Sequence, residues 1–300
     1  MAQIFVAGAT GNIGQPVVAE LLRRNFAVVA MVREPKEIPG CRTVVADLEG
    51  VGGLARQIAE CDHIVHLASP RSDQRESVII DDVLGTGRLM DLWERGNFVY
   101  MSSTTVYGVP RHAPLTESEP FDVTTWYDLG KVANEYQLRM MAGRGQRAAG
   151  VCLRPALMYG SGPRSNDRQL LALVYEKCER GCTFVFASEE NLESCGCSFI
   201  GDEDLARATV DAIALKQSGA FHVESGFATW RTLIDTINEH ASTKAAYVIR
   251  MDGDIAANEY RLPQSRTQLD TSAFTSQTGF QPKQKLDEIV DRFVASKRKG

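Results

Sequence analysis

Three hundred residues, 44% of them hydrophobic, are enough for one large α/β domain or a large domain with a smaller appendage, and they exclude a disordered chain. A net charge of -5 gives no general basic surface, which argues against a nucleic-acid partner while leaving room for a local basic pocket that takes a phosphorylated small molecule. No apolar run approaches the roughly 18 residues of a membrane span, and the opening MAQIFVAGAT enters a β-like run without a basic leader, so a cytoplasmic location is expected.

The first half alternates short β-branched runs with helical patterns. Strands are predicted at Gln3–Ala7, Ala27–Arg33, Arg42–Ala46, His63–Leu67, Phe98–Ser102 and Gly150–Arg154. Between them lie the helical segments NIGQPVVAELLRR, IIDDVLGTGRLMDLWERG and YDLGKVANEYQLRMM. This alternation is the signature of βαβ units, so the fold class is α/β with a doubly wound parallel sheet of Rossmann type. A dinucleotide-binding domain is expected over residues 1–160, with elements near 199–225 able to return to it. Past Gly160 the pattern is less regular, as in YGSGPRSND and SEENLESCG, and residues 161–300 are expected to form a smaller, partly helical substrate-binding region that ends in KLDEIVDRFVASKRKG.

Seven cysteines, an odd number with no secretion signal, predict reduced thiols and not a disulfide framework. Cys178, Cys182, Cys195 and Cys197 crowd together but lack the tight pairs of a zinc site. The histidines show no metal-binding spacing either, so no metal is expected and no role follows for the thiols.

The stretch IFVAGATGNIGQPVVAELL sets Gly8, Gly11 and Gly14 between the first strand and the first helix. Their tasks are a tight turn, close approach of backbone to a pyrophosphate, and close packing of helix on strand. The flanking elements that this motif demands are both present. At the end of the second strand, where an NAD-binding chain usually carries an acidic residue for the ribose 2′-hydroxyl, stands Arg33, with Lys36 close behind. A cation there suits a 2′-phosphate and favours NADP over NAD; the alternative is a solvated Arg33 with Glu34 in the acidic role. Asp47 and Leu48 in VVADLEG, and Leu67, Ala68 and Ser69 in VHLAS, fall at the C-terminal edge of the sheet, where a dinucleotide lies.

The stretch YMSSTTVYG, Tyr100–Gly108, ends a strand in a cluster of hydroxyls. A serine alone is a weak nucleophile and a weak acid, so chemistry there needs partners. The segment TTWYDLGKVANE supplies Tyr127 and Lys131, four residues apart and therefore on one face of a helix. A neighbouring ammonium and a positive nicotinamide ring both favour a phenolate, which makes a tyrosine so placed a usable proton shuttle.

Gly8-Ala9-Thr10-Gly11-Asn12-Ile13-Gly14, the Asp47-Leu48 pair, Ser103 in SSTTVYG, Tyr127-x3-Lys131 and LRPALMYG at 153–160 stand in the order and approximate spacing of the extended short-chain dehydrogenase/reductase family. The chain resembles most its NAD(P)-dependent epimerase/dehydratase branch, of the UDP-galactose 4-epimerase kind. The resemblance covers nearly the whole chain, including DEDLARATVDAI and the C-terminal LDTSAFTSQTGFQPKQKLDEIV. It implies that Ser103, and not Ser102, hydrogen-bonds the reacting oxygen of a small-molecule substrate, that Tyr127 exchanges its proton, and that Lys131 holds the nicotinamide ribose. It also implies that Thr10, Asn12 and Ile13 line the cofactor with the glycines, that Arg154, Pro155 and the Ala68 backbone wall it, and that two copies pair through the Tyr-Lys helix and its neighbour.

The departures from that branch are informative. Its 4,6-dehydratases carry an Asp-Glu pair after the catalytic hydroxyl, where this chain has Thr104 and Thr105, so dehydration by that route is not expected. An asparagine that binds the substrate diphosphate is replaced by Leu157, and an arginine that clamps it by Cys197, which removes two contacts to a nucleotide-diphosphate sugar. Arg164, Arg168, Arg261 and Arg266 are candidates to substitute, and Tyr159 and Trp126 to line the pocket, although surface and core are the simpler fates. The expectation is an NADP(H)-dependent oxidoreductase of ketoreductase or alcohol dehydrogenase type. The alternatives are an NAD-dependent nucleotide-sugar epimerase and a non-catalytic NADP-binding redox sensor, the last disfavoured by Ser103, Tyr127 and Lys131 together.

Overall fold

Runs such as QIFVA and AVVAMV are apolar on both faces, as strands in the interior of a helix-covered parallel sheet must be. Ile4 and Val6 enter the core on one face of the sheet while Phe5 and Ala7 enter the core on the other. The structure, a computed structural model, describes residues 1–70, 74–110, 112–160, 170–251 and 253–298; Arg164 and Arg168 lie outside them.

Strands β1 (Gln3–Ala7), β2 (Ala27–Val32), β3 (Cys41–Val45), β4 (His63–His66), β5 (Arg95–Met101) and β6 (Gln146–Pro155) follow the predicted positions to within a few residues. Helix α1 (Gly14–Arg23) links the first two strands, and α2 (Ala55–Ala59) precedes β4. Helix α3 (Arg75–Ser77) runs through a π-helical stretch, Val78–Leu84, into α4 (Gly85–Asp91), and α5 (Trp126–Met141) carries the Tyr-Lys pair. The helix expected to reach Gly96 stops at Asp91 because Gly96 is left-handed, φ 65°, and the Trp93 indole N–H turns back to the Arg95 and Gly96 carbonyls. The chain therefore enters β5 three residues before the expected start at Phe98, with a register shift between Gly96 and Phe98.

After β7 (Leu157–Tyr159) come α6 (Leu170–Glu179), β8 (Thr183–Phe186), α7 (Glu189–Ser194), β9 (Gly196–Gly201) and α8 (Asp202–Ala212). Then follow β10 (Gly219–Val223), β11 (Gly226–Thr229), α9 (Trp230–His240), β12 (Ala246–Ile249), β13 (Glu259–Tyr260), β14 (Arg266–Thr267), α10 (Ser272–Thr278) and α11 (Leu286–Lys297). The main sheet has the order β10-β6-β5-β4-β1-β2-β3, every pair parallel. Strand order reverses between β1 and β4, and in open α/β sheets a ligand lies outside the carboxyl ends at that switch point.

The later segment thus returns to the sheet through β10 and through α8, which is tied to α1 by Arg24 Nη1 and Asp211 Oδ1 at 2.5 Å. Two small sheets, β11-β9-β14 with β7 beside β9 and β12-β8-β13, pack with α6, α9 and α11 around a second core. The buried Asp204 carboxylate of α8 accepts from the Lys283 and Gln284 backbone and from Ser225, which fastens the C-terminal tail to this region. Among the described residues no helix is long and apolar enough to cross a membrane, and all seven cysteines are unpaired.

Candidate active site

At the end of β1, Gly8 has φ +89°, and a Cβ there would stand 2.6 Å from the Ala68 nitrogen, so only glycine lets the turn pass over the end of β4. Gly14 is packed closer still, since its Cβ would lie 2.0 Å from the Gly8 carbonyl oxygen. Gly11 N–H closes the turn onto that oxygen at 3.0 Å. Helix α1 then begins, after Ile13, with no side-chain cap and no acidic residue in its first turn, which leaves its positive end open to an anion. Asn12 Oδ1 is buried there without a hydrogen-bond partner, as an atom is that a bound ligand satisfies. The glycine turn, the uncapped helix start and this orphaned oxygen fit the pyrophosphate of a dinucleotide.

The residues expected around the adenosine half come to the same edge of the sheet. Arg33 directly follows β2 and is exposed, engaged in no hydrogen bond or ion pair among the described residues; Glu34 and Lys36 are exposed beside it. Asp47 accepts the Gly50 N–H at 2.7 Å, and Leu48 packs where a Cβ on Gly85 would collide. Leu67 extends the β4 ladder through its N–H to the Ala7 carbonyl at 2.8 Å, Ala68 sits under Gly8, and Ser69 is exposed. Thr10 offers its carbonyl to the Gln15 amide at 3.1 Å.

Ser103 lies one residue past a buried neighbour. Ser102 is nearly inaccessible and donates to Glu135, whereas Ser103 is partly exposed and caps the short 3-10 turn Thr104–Tyr107. Ser103 Oγ accepts the Thr105 N–H at 3.2 Å and meets Thr105 Oγ1 at 2.9 Å. Thr105 Oγ1 in turn donates to the buried Asp128 Oδ1 at 2.6 Å, and Thr125 Oγ1 donates to Asp128 Oδ2 at 2.7 Å. Because the Thr105 proton is taken by the carboxylate, the hydrogen bond between the two hydroxyls is donated by Ser103. Asp128, beside Tyr127 in the first turn of α5, thereby anchors the serine turn to the helix that carries the tyrosine.

Lys131 is buried. Its Nζ donates to the Met101 carbonyl at 3.2 Å and lies 5.1 Å from the Tyr100 ring centre and 5.2 Å from that of Tyr127. Burial works against its charge, yet Tyr100, Tyr127 and Asp82 together hold its pKa above the ordinary lysine value. Burial pushes the Tyr100 phenol far up and the His66 imidazole down to about 3, so both are neutral at pH 7.

The Arg154 guanidinium, expected beside the cofactor, is buried among polar partners. It is committed to Glu135, at 2.9 and 2.5 Å, with further bonds to the Tyr107 hydroxyl and the Glu117 carbonyl. This buried pair clamps β6 to α5 and leaves only the Arg154 backbone for a wall. Pro155 offers its carbonyl to Thr104 Oγ1 at 3.0 Å. On the other side of Tyr107, His222 accepts or donates at 2.7 Å, and burial lowers its pKa.

In the second region the candidates separate. Tyr159 is core, stacked on Phe199 at 5.8 Å with its hydroxyl 3.3 Å from Cys197 Sγ. Burial pushes the Cys197 thiol up to about 11, so it is neutral and brings no charge to a diphosphate. Trp126 is half-exposed beneath Arg75, 5.6 Å away. Arg261 is exposed, and Arg266 is taken up by Gln268 and by the face of Phe227 at 4.7 Å. Sequence reasoning missed Asp128, Glu135 and Asp82. Asp128 and Glu135 sit inside the quoted helix, but nothing in their spacing reveals that they hold Thr105 and Arg154.

Fold and site define a dinucleotide-binding α/β protein with a serine, a tyrosine and a lysine gathered at the carboxyl edge of its sheet. The chain belongs to the NAD dependent epimerase/dehydratase family, whose model matches residues 4–220, within the extended short-chain dehydrogenases/reductases. It is 29% identical over 160 residues to UDP-glucose 4-epimerase of Bacillus subtilis, 45% of this chain and 47% of that one. It is also 29% identical over 147 residues to dihydroflavonol 4-reductase of Arabidopsis thaliana, 42% of this chain and 37% of that one. The chain spans about half the length of the curated relatives it matches. A solved short-chain dehydrogenase/reductase superfamily protein of Agrobacterium tumefaciens with bound NAD superposes with a TM-score of 0.80 at 18% identity, over 99% of this chain and 97% of that one, which shows a shared fold.

Proposed function

We propose that the protein is an NADP(H)-dependent oxidoreductase of ketoreductase or alcohol dehydrogenase type. Ser103 binds the reacting oxygen, Tyr127 donates or removes its proton, and Lys131 holds the nicotinamide ribose; the dinucleotide, when bound, supplies the hydride chemistry. The observation that carries this choice is where cations stand: Arg33 is exposed and unengaged at the end of β2, whereas the positions that grip a diphosphate in relatives hold Leu157 and the buried, neutral Cys197. Replacing Arg33 with Asp should weaken NADPH binding about tenfold or more, roughly 1.4 kcal/mol, and spare NADH. Unchanged affinities for both would remove Arg33 from the site.

A second reading, an NAD-dependent nucleotide-sugar epimerase, is favoured by the match to the Bacillus subtilis enzyme. It requires a retained cofactor, so denaturing the purified protein and finding stoichiometric NAD would reverse the order.

A homodimer belongs to the same proposal. Ile80 and Leu84 on the π-helical stretch and Tyr136 and Met140 on α5 are large, exposed and carried by adjacent helices, as a pairing face needs. Light scattering that returns the mass of one chain would contradict it. A cytoplasmic location is proposed on the strength of seven unpaired cysteines, and recovery of the chain from a secreted fraction would overturn that.

A further inference from the structure

Two aspartates stand side by side in the π-helical stretch, and the structure treats them oppositely. Asp81 is exposed and bonds Ser77 Oγ at 2.8 Å, while Asp82 has no accessible surface. A π turn widens the helix and turns its side chains out of ordinary α register, and such turns recur at functional sites. Here it swings Asp82 inward beneath α5.

Everything that touches the Asp82 carboxylate donates to it. Asn134 Nδ2 reaches Oδ1 at 3.0 Å and Thr86 Oγ1 reaches it at 3.5 Å; His66 Nε2 meets Thr86 Oγ1 at 2.8 Å from β4. Asn134 also donates to the Tyr100 hydroxyl at 3.0 Å, and its own oxygen is held by Gln137 at 2.9 Å, which fixes the amide orientation. Asp82 Oδ2 is buried with no partner. It lies against α5 at Gly130, where a Cβ would stand 2.9 Å from it. Burial raises the Asp82 pKa, but the Asn134 and Thr86 donors and the nearby Lys131 charge all favour its ionised form, so the pattern of donors belongs to a carboxylate. That carboxylate faces the residue next to Lys131, whose other close neighbours are the Tyr127 ring, 5.2 Å away, and Tyr100 and His66, both neutral at pH 7.

We propose that Asp82 is a positioning residue for the catalytic lysine: a buried counter-charge that keeps Lys131 protonated in the site, admitted to the helix through the gap at Gly130. A buried ammonium with no anion near it loses its proton readily, because desolvation penalises the charged form. Asp82 pays that cost with field alone, through Asn134 and Tyr100, and leaves the lysine free to meet the ribose. The proposal rests on the reading of Lys131 as the ribose-binding lysine, and the experiment separates the two.

Protein labelled with 13C at the lysine ε carbon is titrated by NMR, with Lys131→Met identifying the resonance. In the wild type, Lys131 should remain an ammonium up to pH 10; in Asp82→Asn it should titrate at least one pH unit lower, and Asp82→Glu should restore the wild-type curve. NADPH titrations by nicotinamide fluorescence supply the second readout. Wild-type affinity should change less than twofold between pH 7 and pH 9.5, whereas Asp82→Asn should lose fivefold or more and approach the Lys131→Met protein. Should Asp82→Asn not fold, the wild-type resonance still decides, since a Lys131 that titrates below pH 9 beside Asp82 overturns the proposal. Coincident curves for wild type and Asp82→Asn overturn it equally. A shifted lysine resonance in a protein that binds no NADPH upholds the counter-charge and overturns the cofactor reading.

Discussion

Between β1 and β6, buried polar side chains meet across element boundaries: Ser102, Glu135 and Arg154 join β5, α5 and β6, and His66, Thr86, Asp82, Asn134 and Tyr100 join β4, α4 and α5. Around α6, α9 and α11 the core is apolar, made of aliphatic and aromatic side chains with the buried thiols of Cys178, Cys195 and Cys197 among them; apart from the buried Asp204 carboxylate of α8, ion pairs such as Arg231 with Glu189 and Glu193 lie near the surface. An apolar core tolerates rearrangement of the loops around it, whereas a buried polar network works only if every member stays in place. The half that would hold the cofactor is thus fixed by direction-specific bonds, and the half that would hold the substrate is free to vary.

Substitutions in the first half should therefore have the larger effects. Tyr127→Phe should lower turnover by about 10²–10⁴-fold while NADPH binding stays nearly intact; a variant as active as the wild type would sink the role given to Tyr127. Glu135→Gln leaves the Arg154 guanidinium buried without its carboxylate, and urea unfolding should show a loss of about 3–5 kcal/mol. A loss below about 1 kcal/mol would mean that the pair is solvated and not a clamp.

The His66 imidazole titrates at about 3 when folded against about 6.5 unfolded, so its contribution is full above pH 6.5 and is lost as pH falls toward 3. Between those limits the unfolded chain binds the proton and the folded one does not. His66→Gln should flatten the acid limb of the stability profile by up to about 1.4 kcal/mol per pH unit relative to the wild type, and parallel limbs would show that His66 is not held neutral. At the small end, Arg231→Ala in the second region should shift the melting temperature little, because its ion-pair partners are exposed glutamates and its one other partner, Tyr247, is only partly buried. A clear drop there would erase the contrast between the halves.

What was legible in the sequence divides along the same line. The glycine turn could be read because its three glycines, the strand before it and the helix after it sit within one short stretch, and each glycine answers a local steric demand that the structure bears out at Gly8 and Gly14. Strands such as β1 and β2 were legible because runs buried on both faces are apolar throughout, and the edge strand β3, where only Val44 is buried, because its run is β-branched. The end of the helical segment IIDDVLGTGRLMDLWERG was not, since it depends on a left-handed Gly96 and a backward-turned Trp93 indole. In the second region the strands are short and pair at a distance, as Arg266 does with Gly196, so no local pattern announces them. The candidate site shows both limits at once. Tyr127 and Lys131 are one helical turn apart and could be found by spacing, but Asp128 reaches Thr105 and Asp82 reaches Asn134 only because the chain has folded. Nothing in the neighbouring pair Asp81-Asp82 says which will be buried; the π turn decides it.

The measurement that bears most directly on the central claim needs no substrate. Nucleotide-free wild-type protein is titrated with NADPH and with NADH, following reduced-nicotinamide fluorescence at one salt concentration. The account predicts a preference for NADPH of tenfold or more, about 1.4 kcal/mol, with either cofactor readily exchanged. Equal affinities, or protein that cannot be freed of stoichiometric NAD, would contradict it and turn the search from ketones and alcohols to the epimerisation of nucleotide sugars.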